Sequence, residues 1–330
     1  MKGVNPMCTA ISWLGKHHFF GRNLDLEYAY KERITISPRK FPFHFRKQTP
    51  LNHHYAMIGT ATIVDDFPLY YEATNEMGLS IAGLNFPGNA VYQPEMDGRD
   101  NIAPFELIPW ILGQCNNVDA ARQLLERINV AHIPFSDRFP LSPLHWIIAD
   151  RERSIVLEAM EDGVHVYDDP VGVLTNNPPL PYHLQNLSNY MALSPRQPED
   201  RFSNGLKLKH YSNGMGGIGL PGDLSSASRF VRAAFLVRNS VGGKTVERDV
   251  SHFFHLLQSV MMSRGSVIMP DGRYEITLYS SCCDTDAGIY YYVTYDGAHI
   301  CAVDMHREDL DSAALIHYSM HTDPIFHKQN

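Results

Sequence analysis

The 330-residue sequence has little cysteine: five residues, Cys8, Cys115, Cys282, Cys283 and Cys301, at irregular spacing. So sparse a set excludes a disulfide framework as the source of the fold. Basic charge is also in deficit. Twenty-eight Lys and Arg against 36 Asp and Glu leave a net charge of −8, which removes the electrostatic footprint of a nucleic-acid binder. No apolar run approaches the roughly 18 residues that a helix needs to cross a bilayer. The opening MKGVNPM lacks the apolar core of a secretory signal, so no membrane association and a cytoplasmic location are expected. Repeats, low-complexity tracts and linker-like stretches are missing too, and one domain is expected. What is present is 44% hydrophobic and 19% charged residues, enough apolar side chain for a sizeable core.

Short β-rich runs occupy 8–14, 17–23, 33–39, 55–64 and 78–86, with Gly and Pro punctuating their ends. A helical block follows over 105–115 and 117–128. In the second segment Val118, Ala121, Leu124, Leu125 and Ile128 share one face, and Asn117 is placed as N-cap. Strand patterns return at 144–150 and 154–160, and an Asn- and Pro-rich loop spans 176–183. Helical spacing reappears over 225–238 and 246–262. The chain then closes on a meander of YEITLYSSCC, GIYYYVTY and AHICAVDM. Strands on either side of two helical blocks predict an α+β fold of antiparallel sheets covered by helices.

Several motifs fail on context. GMGGIG (214–219) matches the dinucleotide fingerprint in letters, but Pro221 and Gly222 follow it and no βαβ unit surrounds it. GGKT (242–245) lacks the first glycine of a phosphate loop, which falls on Arg238. His252 and His255 lie one helical turn apart without an obvious third ligand. Cys282 and Cys283 are adjacent on a strand and face opposite ways. No metal site is expected.

Cys8 is the residue with chemistry left to explain. If the chain is trimmed between Met7 and Cys8, one residue carries both a thiol and a free α-amine. An α-amine titrates near pH 8, so it can serve as base for its own side chain. A hairpin turn centred near Gly15 pairs residues whose numbers sum to about 30, setting Cys8 opposite Arg22. That guanidinium would favour thiolate, and Asp25 could orient the ammonium. The plainer alternative is a small apolar residue opening a buried strand, with Arg22 and Asp25 as a surface ion pair.

The motifs MCTAISW and FFGRNLDLEY, then DDFPLYYEATNEMGLSIAGLNFPG, PLHWIIAD, VGVLTNNP and LPGDLSSASRFVR, run in order from Cys8 onward. In these the chain resembles the choloylglycine hydrolase family, and most closely its bile salt hydrolase branch. The resemblance implies an N-terminal nucleophile hydrolase fold, a four-layer αββα sandwich of two antiparallel sheets between helical layers, assembled as a homotetramer. It implies Cys8 as nucleophile, Arg22, Asp25 and Arg229 as its charged neighbours, and Asn85 and Asn176 lining the oxyanion hole. Amide hydrolysis needs such donors at the developing charge. The family begins with Met directly before Cys, whereas MKGVNP precedes Met7 here. Residues 1–7 are therefore expected to be a leader, removed or never translated, with 8–330 as the single functional domain.

The activity so implied is cleavage of the amide joining a cholate-type acid to glycine or taurine. Leu24, Tyr30, Val64, Tyr71, Phe135, Phe139 and Leu144 are the residues that the resemblance places along the steroid pocket, and no cofactor is implied. Three alternatives stay open at this point: penicillin V acylase, another N-acyl amide hydrolase of the same fold, and an inactive binder of amphipathic anions.

Overall fold

The computed structural model describes residues 7–330. Most of the expected leader, residues 1–6, lies outside the described residues. The first half of the chain forms β1 (Cys8–Leu14), β2 (His18–Leu26), β3 (Arg33–Ser37), β4 (Met57–Val64), β5 (Phe67–Asn75) and β6 (Ser80–Asn85). β7 (Asp100–Ile102), α1 (Leu107–Leu112), α2 (Val118–Leu125) and β8 (Ile128–Val130) follow. Next come β9 (Leu144–Ala149), β10 (Ser154–Met160), β11 (Gly163–Asp168), β12 (Val173–Leu174) and α3 (Leu180–Asn186). The chain ends with α4 (Ser226–Asn239), α5 (Val246–Gln258), β13 (Ile276–Asp284), β14 (Ile289–Thr294), β15 (Cys301–Asp304) and β16 (Ile316–Ser319).

Two antiparallel sheets result, with a small β7–β8 pair beside them. The first runs β12-β1-β2-β13-β14-β15 and the second β11-β10-β9-β6-β5-β4-β3-β16. They face each other where β1 and β2 meet β6 and β12 meets β9. Strand alternation explains the layering. Along β9, Ile147 and Ala149 point into the core that holds Ile11, Phe20, Phe230 and Phe253. Trp146 and Ile148 point the other way, into the core of Trp110, Ile111, Val118 and Leu125. Such a strand has apolar side chains on both faces because each face is covered. Helices α4 and α5 lie on β1, β2 and β13, and α1 lies on β5 and β6. The four layers are αββα, as expected.

Local signals account for the helix starts. Asn117 accepts from the Ala120 N–H at 2.8 Å, and Ser225 and Thr245 cap α4 and α5 in the same way. Several elements depart from expectation: β7, β8, β12 and β16 fall where no strand is expected, and α2 ends at Leu125 rather than at 128. β5 was not anticipated, because Pro68 and Glu72 interrupt its apolar pattern. α3 grows out of the expected loop, led in by Pro179 at its N-cap position. Regular α-helix within 105–115 is confined to α1, behind a 3₁₀ turn at Pro104–Glu106. α5 stops at Gln258. Among the described residues no helix is long and apolar enough to cross a membrane.

Candidate active site

Cys8 opens β1 and is 2% exposed. The expected pairing with Arg22 is corrected by the register: Cys8 lies opposite Leu24, and Arg22 opposite Ala10. The reason is the turn. Leu14 still pairs with His18, so the loop is Gly15–His17, centred on Lys16 rather than Gly15. A slip of two residues preserves side-chain parity, and Arg22 still shares a face with Leu24.

Arg22 is buried. Its Nη1 donates to the Gly83 carbonyl at 2.6 Å and the Tyr71 carbonyl at 3.2 Å. Glu72 lies 3.8 Å from its Nε and accepts from the hydroxyls of Tyr279 and Tyr290. Burial opposes the charge on Arg22, but Cys8 and Glu72 outweigh it and hold the guanidinium protonated. Asp25 is also fully buried. One carboxylate oxygen accepts from Thr277, and its backbone N–H donates to the Met7 carbonyl at 3.2 Å. Burial pushes the Asp25 carboxyl up to about 6 against the pull of Arg229. Arg22 Nη2 and Asp25 Oδ2 are buried without hydrogen-bond partners among the described residues, a donor and an acceptor left over beside the thiol.

Asn176 follows β12, the neighbour of β1. Its Oδ1 accepts from the Cys8 N–H at 2.9 Å and from Arg229 Nη2 at 2.7 Å. Its Nδ2 donates to the Asn85 carbonyl at 2.8 Å, which uses one of its two hydrogens. Arg229, in the first turn of α4, reaches from the helix layer into the sheet. Its Nη1 donates to the Cys8 carbonyl and to Thr9 Oγ1, both at 2.6 Å, and its Nε to the Leu224 carbonyl at 3.0 Å. This partner set answers why a cation sits at a helix start, where the dipole disfavours it. Cys8, Arg22, Asp25, Asn85, Asn176 and Arg229 therefore converge. Around the thiol, burial raises the pKa, Arg22 is the strongest opposing influence, and Asp25 adds to the rise.

The apolar candidates fall into two connected groups. Leu24 and Tyr71 belong to the core beside Cys8. The Tyr71 hydroxyl meets Thr62 Oγ1 at 3.0 Å, and Thr62 Oγ1 donates to the Tyr30 carbonyl. Val64 ends the same strand two residues on. Tyr30 itself is 40% exposed. Phe135 and Phe139 pack edge-on with centroids 6.1 Å apart, and Phe135 also meets Phe67 and Phe105. Leu144 pairs directly with Asn85 across β9 and β6. A separate cavity of about 460 Å3, lined by Trp13, His18, Arg153 and Arg238 among others, contains none of these residues.

The profile of linear amide C–N hydrolases, choloylglycine hydrolase family, matches residues 8–318. The chain belongs to the choloylglycine hydrolase family. It is 51% identical to the bile salt hydrolase/transferase of Lactiplantibacillus plantarum, over 98% of this chain and all of that protein. Against the bile salt hydrolase/transferase of Clostridium perfringens the identity is 37%, over 92% of this chain and 94% of that one. A crystal structure of a variant of the C. perfringens conjugated bile acid hydrolase superposes with a TM-score of 0.89 at 35% identity, covering 98% and 100% of the two chains. The penicillin V acylase of Agrobacterium tumefaciens shares the fold, with a TM-score of 0.76 at 17% identity over 96% of this chain and 93% of that one. As a choloylglycine hydrolase family member the chain is a linear amide hydrolase with the N-terminal nucleophile fold.

Sequence reasoning missed several groups that this family member gathers around Cys8. Thr9, Glu72, Thr277, Tyr279 and Ser226 all bond the site residues or their immediate supports. Glu275, buried before β13, accepts from the Met7 N–H, and burial pushes its carboxyl up to about 7. For Glu72 and Glu275 a signal existed: each is a lone carboxylate next to aromatic or β-branched residues, Glu72 within β5 and Glu275 just ahead of β13.

Proposed function

We propose that the chain hydrolyses the amide of glycine- or taurine-conjugated bile acids, with Cys8 as nucleophile once its α-amine is free. The observation that carries this reading is the double hold on Cys8, whose nitrogen bonds Asn176 and whose carbonyl bonds Arg229. The liberated amine takes the thiol proton, and sulfur attacks the amide carbonyl. Asn85 and the second hydrogen of Asn176 Nδ2 meet the oxyanion. The ammonium then protonates the departing glycine or taurine, and water activated by the same amine releases the bile acid from the thioester. Arg22 favours the thiolate and Asp25 orients the ammonium. Leu24, Tyr30, Val64, Tyr71, Phe135, Phe139 and Leu144 form the apolar slot for the steroid.

In this reading residues 1–7 are absent from the active form. Either initiation at Met7 followed by loss of that residue, or attack of Cys8 on the Met7 carbonyl, produces it. The Asp25 N–H on that carbonyl supports the second route. The five cysteines are unpaired, consistent with a cytoplasmic site. Homotetramer assembly fits the solvent-facing apolar side chains of Phe202 and Tyr211, 77% and 81% exposed.

The test pairs intact mass with hydrolysis of glycocholate, taurocholate and penicillin V. Loss of residues 1–7 and turnover of the two bile salts are expected, with Cys8→Ala folded and inactive. Active protein that retains its first seven residues, or full turnover by Cys8→Ala, would overturn the reading. Faster cleavage of penicillin V would assign the other branch.

A further inference from the structure

Two buried histidines flank the Asn176 peptide and belong to none of the steps above. His183, in α3, has Nε2 at 3.0 Å from the Asn176 carbonyl oxygen. A carbonyl only accepts, so Nε2 carries the proton; Nδ1 has no partner among the described residues, and the ring is a neutral imidazole. Burial holds its pKa down at about 4, so this donor persists through neutral pH. His145, in β9, has Nε2 at 3.0 Å from the preceding carbonyl, that of Thr175. Its Nδ1 lies 3.1 Å from Glu158 Oε1, which also accepts from the Leu180 N–H at 3.0 Å. Both rings lie against the chain neighbours of site residues. His145 stacks on Phe86, next to Asn85, at 4.2 Å and 8°. His183 stacks on Phe230, next to Arg229, at 4.6 Å and 17°.

These contacts complete the restraint of Asn176. Its N–H donates to Ser226 Oγ at 2.9 Å, its side chain is held by Cys8, Arg229 and Asn85, and its two flanking carbonyls take the imidazole donors. We propose that His183 and His145, the latter backed by Glu158, are positioning residues that fix the Asn176 side chain on the nitrogen of Cys8. The inference rests on the catalytic role proposed above for Asn176. Removing a donor frees the peptide to rotate, and a displacement of about 1 Å at a reacting centre can cost about a hundredfold in rate. Substrate contacts stay in place, so the loss falls on kcat rather than KM.

The test uses His183→Leu, His183→Gln, Asn176→Ala and the His183→Leu/Asn176→Ala pair in the full chain. kcat and KM for glycocholate are measured per site titrated by alkylation of Cys8. His183→Leu is expected to lower kcat about tenfold or more with KM within about threefold of the parent. His183→Gln, whose amide nitrogen can replace Nε2, should recover most of that loss. In the Asn176→Ala background His183→Leu should change kcat by less than about twofold, because the group it positions is gone. Should His183→Leu not fold, His183→Asn, which shortens the donor, carries the same expectation. An equal loss in both backgrounds, or an unchanged kcat per titrated site, would overturn the positioning role alone. Full activity of Asn176→Ala would instead overturn the reading of Asn176, and the inference with it.

Discussion

Arg229 Nη1 donates to the Cys8 carbonyl at 2.6 Å, although 221 residues separate the two in the chain. The same guanidinium holds Thr9 and Asn176, so one side chain ties α4 to β1 and to the segment after β12. A lysine ammonium could not span three acceptors from one planar fork. Arg229→Lys should therefore lower kcat/KM for glycocholate about a hundredfold or more, with circular dichroism showing the sheets retained. A loss under about threefold would show that the fork geometry is dispensable.

Glu72 gives a stability prediction. It is the carboxylate nearest the buried Arg22, and two tyrosine hydroxyls satisfy it. Glu72→Ala would leave a buried guanidinium without its counter-charge, which costs about 3–5 kcal/mol. Urea unfolding should show that loss, while Glu72→Gln, which keeps an acceptor for the hydroxyls, should lose less and still slow turnover.

His18 sets a pH dependence. It is buried between Ser12 Oγ and Thr285 Oγ1, each at 2.8 Å, and burial lowers its pKa from 6.5 to about 4. Between those values the unfolded chain binds the extra proton, so His18 makes stability rise with pH and fall as pH drops from 6.5 toward 4. Asp25, raised to about 6, acts with the opposite sign, since the folded chain then binds the extra proton. The difference between wild type and His18→Gln isolates the histidine. Unfolding free energies from pH 4 to 7 should converge at the acid end, with a slope of at most about 1.4 kcal/mol per pH unit. A difference that does not vary with pH would refute it.

The apolar slot is testable through binding. Phe139 is half-buried against Phe135, and truncating it removes area from bound steroid equally in ground and transition states. Phe139→Ala should raise KM for taurocholate about tenfold, equivalent to about 1.4 kcal/mol, with kcat within about threefold. A fall in kcat at constant KM would place Phe139 outside the slot.

The layered fold was legible because period-2 and period-3.6 patterns and the helix caps at Asn117 and Ser225 agree with one another. Cys8 and its polar neighbours were legible only through long ordered motifs; spacing alone left a buried cysteine and an ion pair as the plainer account. The hairpin arithmetic missed by two residues because turn length, not strand composition, sets register. It still placed Arg22 on the right face, since parity survives an even slip. β5 was hidden by Pro68 and by Glu72, a charge whose partners, Arg22, Tyr279 and Tyr290, lie far away in the chain. His145 and His183 were hidden for the same reason: what makes them informative is the carbonyls that they meet across layers.

Asn176 grips the nitrogen of Cys8 while that atom is still an amide link to Met7. The release of Met7 proposed above would alter the proton inventory of the nitrogen without changing its address. In the proposed mechanism the bonds that hold Cys8 are therefore in place before its amine is freed.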